Sequence, residues 1–168
     1  MYYSANDNMF NILLEYCSGG CLSQVLKQAK KLSAIEVSRI MSEILAGLVY
    51  LHEHSVIHRD LKPANVLITE TGTVRIADFG CSTQAIEIVR STVGTPWYLA
   101  PEVARAQPYS YPADIWSVGC IVLELCTGER LFGHLNAMAA MLQIAQEAPL
   151  PIHHEELHPV CLFLSVHG

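Results

Sequence analysis

Apolar and polar positions along this chain fall into blocks of changing period. Met9-Phe10-Asn11-Ile12-Leu13-Leu14-Glu15-Tyr16 is a short apolar run that stops at Ser18-Gly19-Gly20. It predicts a buried strand over 9–16 followed by a flexible joint. Val37, Ile40, Met41, Ile44, Leu45 and Leu48 recur at helical spacing behind Ser33 and Glu36. That pair reads as a capping box, in which the hydroxyl and the carboxylate each take a free first-turn N–H, and a long helix is expected after it. Val66-Leu67-Ile68 and Val74-Arg75-Ile76-Ala77 flank Glu70-Thr71-Gly72, two short strands around a hairpin turn. From Cys81 to Thr95 the pattern dissolves into polar and β-branched residues, a long loop of the kind that carries function. Asp114 to Thr127 is apolar nearly all round and predicts a helix buried in the middle of the domain, and Ala137 to Gln146 a further helix. Beyond Gln146 come three prolines and paired histidines, and no element is assigned.

The 168 residues suit one domain, and 51% apolar content with 15% charge excludes a disordered tail. Ten basic against sixteen acidic residues give a net charge of −6, which argues against a nucleic-acid binder held by phosphate contacts. The richest apolar stretch, Ile115 to Cys126, is interrupted by Glu124 and is too short for a bilayer span. The N-terminus lacks a basic start and an apolar stretch, so no secretory signal is read and a cytoplasmic location is expected. Cys17, Cys21, Cys81, Cys120, Cys126 and Cys161 show no paired spacing and are expected as free thiols. His153, His154 and His158 lack a ligand partner at zinc-site spacing and read as a polar surface segment.

Two constellations carry chemistry. His58-Arg59-Asp60-Leu61-Lys62-Pro63-Ala64-Asn65 lies between a predicted helix and a predicted strand, on a loop held at both ends. Asp60 and Asn65 can face one pocket, the carboxylate accepting a proton while the amide oxygen binds a cation. Lys62 can neutralise charge that develops on a transferred phosphoryl group. Asp78-Phe79-Gly80 follows thirteen residues after Asn65, across a hairpin, and supplies a second carboxylate for a magnesium-bound phosphate.

The order H-R-D-L-x-x-x-N, D-F-G, A-P-E is the protein-kinase signature, and here it runs His58 to Asn65, Asp78 to Gly80 and Ala100-Pro101-Glu102. With strand 9–16, the joint, both large helices and Asp114-Ile115-Trp116-Ser117-Val118-Gly119, the chain resembles a kinase C-terminal lobe over residues 9–148. Lys62 resembles the serine/threonine type. Gly94-Thr95-Pro96-Trp97-Tyr98-Leu99-Ala100-Pro101-Glu102 and Cys81-Ser82-Thr83 look most like the MAP kinase kinase kinase branch. The resemblance implies an α+β, protein-kinase-like fold, a mostly helical C-terminal lobe with the N-terminal lobe largely missing. Its parts would be the last N-lobe strand and start of the hinge in 1–16, the C-lobe in 17–148 and an atypical tail in 149–168. The catalytic loop would be 58–65, the activation segment 78–102 and the central helix 114–127.

By the same resemblance the activity is ATP-dependent phosphorylation of protein serine and threonine, with ATP and Mg²⁺ as cofactors and a protein substrate, a downstream kinase among the candidates. Asp60 would accept the substrate hydroxyl proton, Asn65 and Asp78 would hold the metal, Lys62 would contact the γ-phosphate, and Thr95 would tie the substrate-side loop to Asp60. Glu15 and Cys17 would offer backbone groups to adenine, Leu14 would guard the back pocket and Leu67 would form the floor under the ring; Leu14 and Leu67 read equally as plain core. His58 and Phe79 would stack in the core, anchored by Asp114, which could otherwise be only a helix N-cap. Ser91 or Thr92 would be the regulatory phosphosite, paired by Arg59, with Ser82 and Thr83 weaker candidates.

The pattern also departs from the family. Residues 1–8 hold no Gly-rich loop and no Val-Ala-Ile-Lys-like strand, and no Arg follows Leu131 to pair Glu102, which is expected as a buried carboxylate without a partner. Ala64 and Cys21 stand where Arg-directed kinases carry acidic residues, which disfavours strongly basic substrates. A fragment, a truncated gene model or a degenerate copy is the expectation, and a non-catalytic interaction module is the alternative to an enzyme.

Overall fold

The computed structural model of the chain describes residues 2–6, 9–85, 89 and 91–146, with side chains from residue 12 onward. The first elements are strands β1 (Tyr2–Asn6) and β2 (Met9–Leu13), an antiparallel hairpin with Tyr2 opposite Leu13 and Asn6 opposite Met9. The strand expected over 9–16 therefore ends at Leu13, and its sheet neighbour was not foreseen. Nor is it buried: Ile12 and Leu13 are 61% and 66% exposed. A two-stranded ribbon buries a face only when another layer covers it.

Helix α1 (Leu22–Ala29), absent from the sequence reading, turns Leu22 and Leu26 into the core. Helix α2 (Ala34–Glu53) begins at the expected capping box: the Ser33 N–H donates to Glu36 Oε2 at 2.8 Å and the Glu36 N–H to Ser33 Oγ at 3.4 Å. Its buried residues, Val37, Ile40, Met41, Ile44 and Leu48, are among those the periodicity marks, and the sixth, Leu45, is part-buried. Strand β3 (Val56–Ile57) leads into the loop that carries Asp60. Strands β4 (Val66–Ile68) and β5 (Val74–Ile76) form the expected hairpin, with Leu67 opposite Arg75. Glu43 of α2 accepts the Val74 N–H at 2.6 Å and ties that hairpin to the helix.

Within the expected loop 81–95, strand β6 (Thr83–Gln84) pairs antiparallel with β3, and Val89 bridges Tyr109. Helix α3 (Pro101–Ala104) precedes α4 (Pro112–Thr127) and α5 (Ala137–Gln146). Helix α4 starts two residues earlier than the pattern suggests, because Pro112 can occupy a first turn whose N–H would be unpaired anyway. Its N-cap is Tyr111, so Asp114 is inside the first turn and is not a cap. Leu22, Ile44, Leu48, Leu61, Ile121 and Leu125 meet in the main core, and Leu99, Ala100, Val103, Tyr109 and Ala113 form a smaller one beside it.

No helix among the described residues is long and apolar enough to cross a membrane. Cys17, Cys21, Cys81, Cys120 and Cys126 are outside any disulfide, as expected, and burial pushes the Cys120 thiol up to about 12. The tail 149–168, with Cys161 and the three histidines, lies outside the described residues.

Candidate active site

Three segments converge on Asp60: the loop after β3, the β4–β5 hairpin with the turn behind it, and the stretch before α3. The loop is fixed from below. Asp114 is fully buried, and its carboxylate accepts the His58 N–H and the Arg59 N–H, each at 2.9 Å, on different oxygens. His52, from the last turn of α2, meets the same carboxylate at 2.9 Å. These bonds hold Arg59 at φ 70°, a left-handed conformation that a side chain adopts only under constraint. His58 is fully buried; its Nδ1 accepts the Asp60 N–H at 3.3 Å, so Nε2 carries the proton and donates to Ala77 O at 3.1 Å. Its ring packs against Phe79 with centroids 5.1 Å apart, as the sequence implies.

Asp60 itself is 8% exposed. Lys62 Nζ donates to its Oδ2 at 2.7 Å and Thr95 Oγ1 to its Oδ1 at 2.7 Å, while Lys62 also reaches Thr95 Oγ1 at 2.8 Å. Thr95 is 35 residues away in sequence. Gly94 permits that approach: at φ 123° it lies so close to the loop that a Cβ would stand 2.6 Å from Arg59 O. Burial by itself would raise the Asp60 carboxyl. Hydrogen bonds from Lys62, Thr95 and Asn65, with the Lys62 charge, outweigh it and hold the group below the usual carboxylate range.

Asn65 follows on a short 3₁₀ turn opened by Pro63. Its Nδ2 donates to Asp60 O at 2.9 Å and Asp60 Oδ2 at 3.1 Å, and among the described residues nothing donates to its Oδ1. The Ala77 N–H donates to Asn65 O at 2.9 Å, so Asp78 leaves the hairpin beside Asn65. Asp78 stands at φ 64° and is exposed, and among the described residues its carboxylate accepts only the Gly80 N–H, at 3.3 Å. Two hard oxygen donors at adjacent points fit Mg²⁺, which binds one or two protein oxygens and fills its shell with water and phosphate. Among the described residues no three His, Cys, Asp or Glu side chains cluster to hold a metal unaided.

The residues expected around adenine are less gathered. Leu67 is part-buried on β4, bridged to Cys21. Cys17 is part-buried, Leu14 stands 70% exposed, and Glu15 directs its carboxylate to Arg75 at 3.0 Å. Arg59 donates from Nη1 to Ser91 Oγ at 3.0 Å, from Nε to Cys81 O and from Nη2 to Ser82 O, and so ties both ends of the 81–91 segment. Thr92 Oγ1 bonds Val103 O at 3.5 Å. Glu102 is part-buried, not buried as expected, and makes no ion pair among the described residues. A carboxylate partly in water needs no partner.

Sequence reasoning missed His52 and a pair behind Thr95. Tyr98 OH donates to Glu124 Oε2 at 2.5 Å; burial, then this neighbour, pushes the Tyr98 hydroxyl up, and burial raises the Glu124 carboxyl. The signal was present in Glu124 itself, the lone charge within the apolar run of α4.

Residues 1–160 match the protein kinase domain, and the chain belongs to that family. It is 42% identical over 144 residues to the cytokinesis protein sepH of Aspergillus niger, covering 84% of this chain and 11% of that protein. It is 37% identical over 171 residues to the serine/threonine-protein kinase ppk11 of Schizosaccharomyces pombe, covering 98% and 54%. With mitogen-activated protein kinase kinase kinase 2 of Arabidopsis thaliana it shares 42% over 128 residues, 73% and 20%. The chain thus spans from about a tenth to about half the length of these relatives.

Proposed function

We propose that the chain carries the catalytic face of an ATP-dependent protein serine/threonine kinase. The observation that carries this reading is the clamp of Lys62 and Thr95 on Asp60, with Asn65 bonded to the same carboxylate and the exposed Asp78 following the hairpin that Asn65 opens. Asp60, kept ionised, orients an incoming hydroxyl and would receive its proton as the hydroxyl oxygen bonds the γ-phosphorus and the bond from that phosphorus to the departing ADP oxygen breaks. Thr95 fixes that carboxylate against the segment over which a substrate chain runs. Lys62, already at the site, supplies positive charge where negative charge grows. Asn65 Oδ1 and Asp78 are the groups that would hold Mg²⁺. Bound Mg-ATP supplies the phosphoryl group and neutralises its oxygens.

The proposal extends to a protein substrate in the cytoplasm, a downstream kinase among the candidates, and to a role like that of MAP kinase kinase kinases; the 94–102 segment and the Arabidopsis relative's name support that role. Phosphorylation of Ser91 would turn the Arg59–Ser91 bond, in which only the donor is charged, into a guanidinium–phosphate ion pair and stiffen the segment, with Thr92 the neighbouring candidate. The exposed Ile12, Leu13, Leu14 and Phe79 favour a second reading, a non-catalytic module that docks partners.

The test follows phosphate from γ-labelled Mg-ATP into a mixed serine, threonine and tyrosine peptide pool, alongside Mg²⁺-dependent binding of a fluorescent ATP analogue. Turnover of the 168 residues alone is expected below about 1 s⁻¹, since they contain no Gly-rich loop or Val-Ala-Ile-Lys strand to cover the phosphates. Whatever transfer occurs should reach serine and threonine and vanish in Asp60→Asn, and nucleotide binding should vanish in Asp78→Ala. Phosphotyrosine as the main product, transfer that survives Asp60→Asn, or no Mg²⁺-dependent binding would sink the reading.

A further inference from the structure

Helix α4 ends at Gly128, whose φ of 83° lets its N–H close onto Glu124 O at 2.8 Å. The chain then doubles back over the segment that follows Thr95. Arg130 places its guanidinium carbon 4.4 Å from the centre of the Trp97 ring, a cation held on an aromatic face. The loop beneath it is stiff. The Glu129 N–H donates to Thr127 Oγ1 at 3.1 Å, Arg130 O accepts the Gly133 N–H at 2.9 Å, and Leu131 is buried.

Arg130 is exposed, and among the described residues none of its N–H groups has an acceptor and no carboxylate lies within 4.0 Å. Glu124, whose charge Arg130 senses, is engaged by the Tyr98 hydroxyl at 2.5 Å. Glu129, next in the chain, does not close on the guanidinium either. A guanidinium held over an indole loses part of its freedom, and with no protein acceptor among the described residues its N–H groups stay available to a carboxylate or a phosphate, which a guanidinium can receive through two parallel bonds. Trp97 stands two residues after Thr95, which bonds Asp60 at 2.7 Å, so Arg130 packs on the same segment that reaches the Asp60 carboxylate. Ala64, exposed in the loop of Asp60, offers no carboxylate to counter it.

We propose that Arg130 is a specificity-determining residue that selects protein substrates with an anionic side chain, carboxylate or phosphate, flanking the target hydroxyl. The proposal rests on the kinase reading, and binding separates the two. Four fluorescein-labelled peptides share one serine and differ in the flanking residues: alanine, glutamate, phosphoserine or arginine. Anisotropy with the 168-residue chain at low salt should give Kd about fivefold tighter for glutamate than for alanine, the upper range for an exposed ion pair, and weaker for arginine. Phosphoserine binding tighter than glutamate would identify a primed substrate, and equal affinity an acidic one. Arg130→Ala should erase the differences and Arg130→Glu should reverse them in favour of the arginine peptide. Both variants should melt within about 2 °C of the parent, as exposed substitutions do.

Equal binding of all four peptides, no binding of any, a preference for arginine, or an acidic preference that survives Arg130→Glu would overturn the proposal. Arg130-dependent selectivity with no Mg²⁺-dependent binding of the ATP analogue would sink the kinase reading alone. Phosphotransfer without selectivity would sink only the role of Arg130.

Discussion

Asp114→Asn keeps the size of a buried side chain and takes one acceptor from a site that uses two. In the native chain the two carboxylate oxygens separately accept the His58 and Arg59 N–H groups at 2.9 Å, and His52 shares one of them. An amide can serve one of those backbone donors, and its NH₂ group must then face the other. A buried donor left without an acceptor costs about 1–3 kcal/mol, and a bond to a neutral oxygen is about 1 kcal/mol weaker than one to a charged oxygen. The sum, about 3 kcal/mol, is a large part of the roughly 5–15 kcal/mol that holds an ordinary domain. The loss is local as well. Arg59 at φ 70° has no reason to stay there once its N–H is released, and Asp60 moves with it. Urea titration followed by circular dichroism reads the global term. Amide hydrogen exchange reads the local one, with protection at His58, Arg59 and Asp60 expected to fall more than in α2 or α4. A stability change under about 1 kcal/mol with unaltered protection at those amides would refute the account of the loop.

Ser33→Ala should cost about 1 kcal/mol and speed amide exchange over the first turn of α2, because the hydroxyl accepts the Glu36 N–H; unchanged exchange there would mean that the cap is idle. Gly94→Ala should destabilise by at least about 2 kcal/mol and weaken nucleotide-dependent transfer, since its Cβ would stand 2.6 Å from Arg59 O and 2.9 Å from Leu99 Cδ2. A urea midpoint equal to that of the parent would contradict the close approach. Glu124→Gln tests pH linkage: the carboxyl is raised on folding, so the native state takes up a proton more readily than the unfolded one and gains stability as pH falls towards about 4.3. Any advantage of the glutamine variant should be greatest near neutrality and shrink as pH falls through the folded value, and an advantage that grows on acidification would reverse the sign.

Much of the fold could be read from order along the chain. The capping box and periodicity of α2, the β4–β5 hairpin and α5 follow from hydrogen-bond and burial rules that act over a few residues, and all three stand where those rules put them. The motif residues Asp60, Lys62 and Asn65 are likewise close in sequence, so their convergence was legible. Relations between distant segments were legible only through the family resemblance, as for Thr95 and Asp60 across 35 positions. Others were not legible at all: His52 meets Asp114 across 62 positions, and Arg130 meets Trp97 through a loop that doubles back. The exposure of Ile12 and Leu13 was equally hidden, because an apolar run reports a wish for burial and not whether a second layer arrives. Local patterns record which residues can share a helix or a turn. Which side chains then face one another depends on how the packed helices and strands are oriented, and that is settled by the close packing of the whole core.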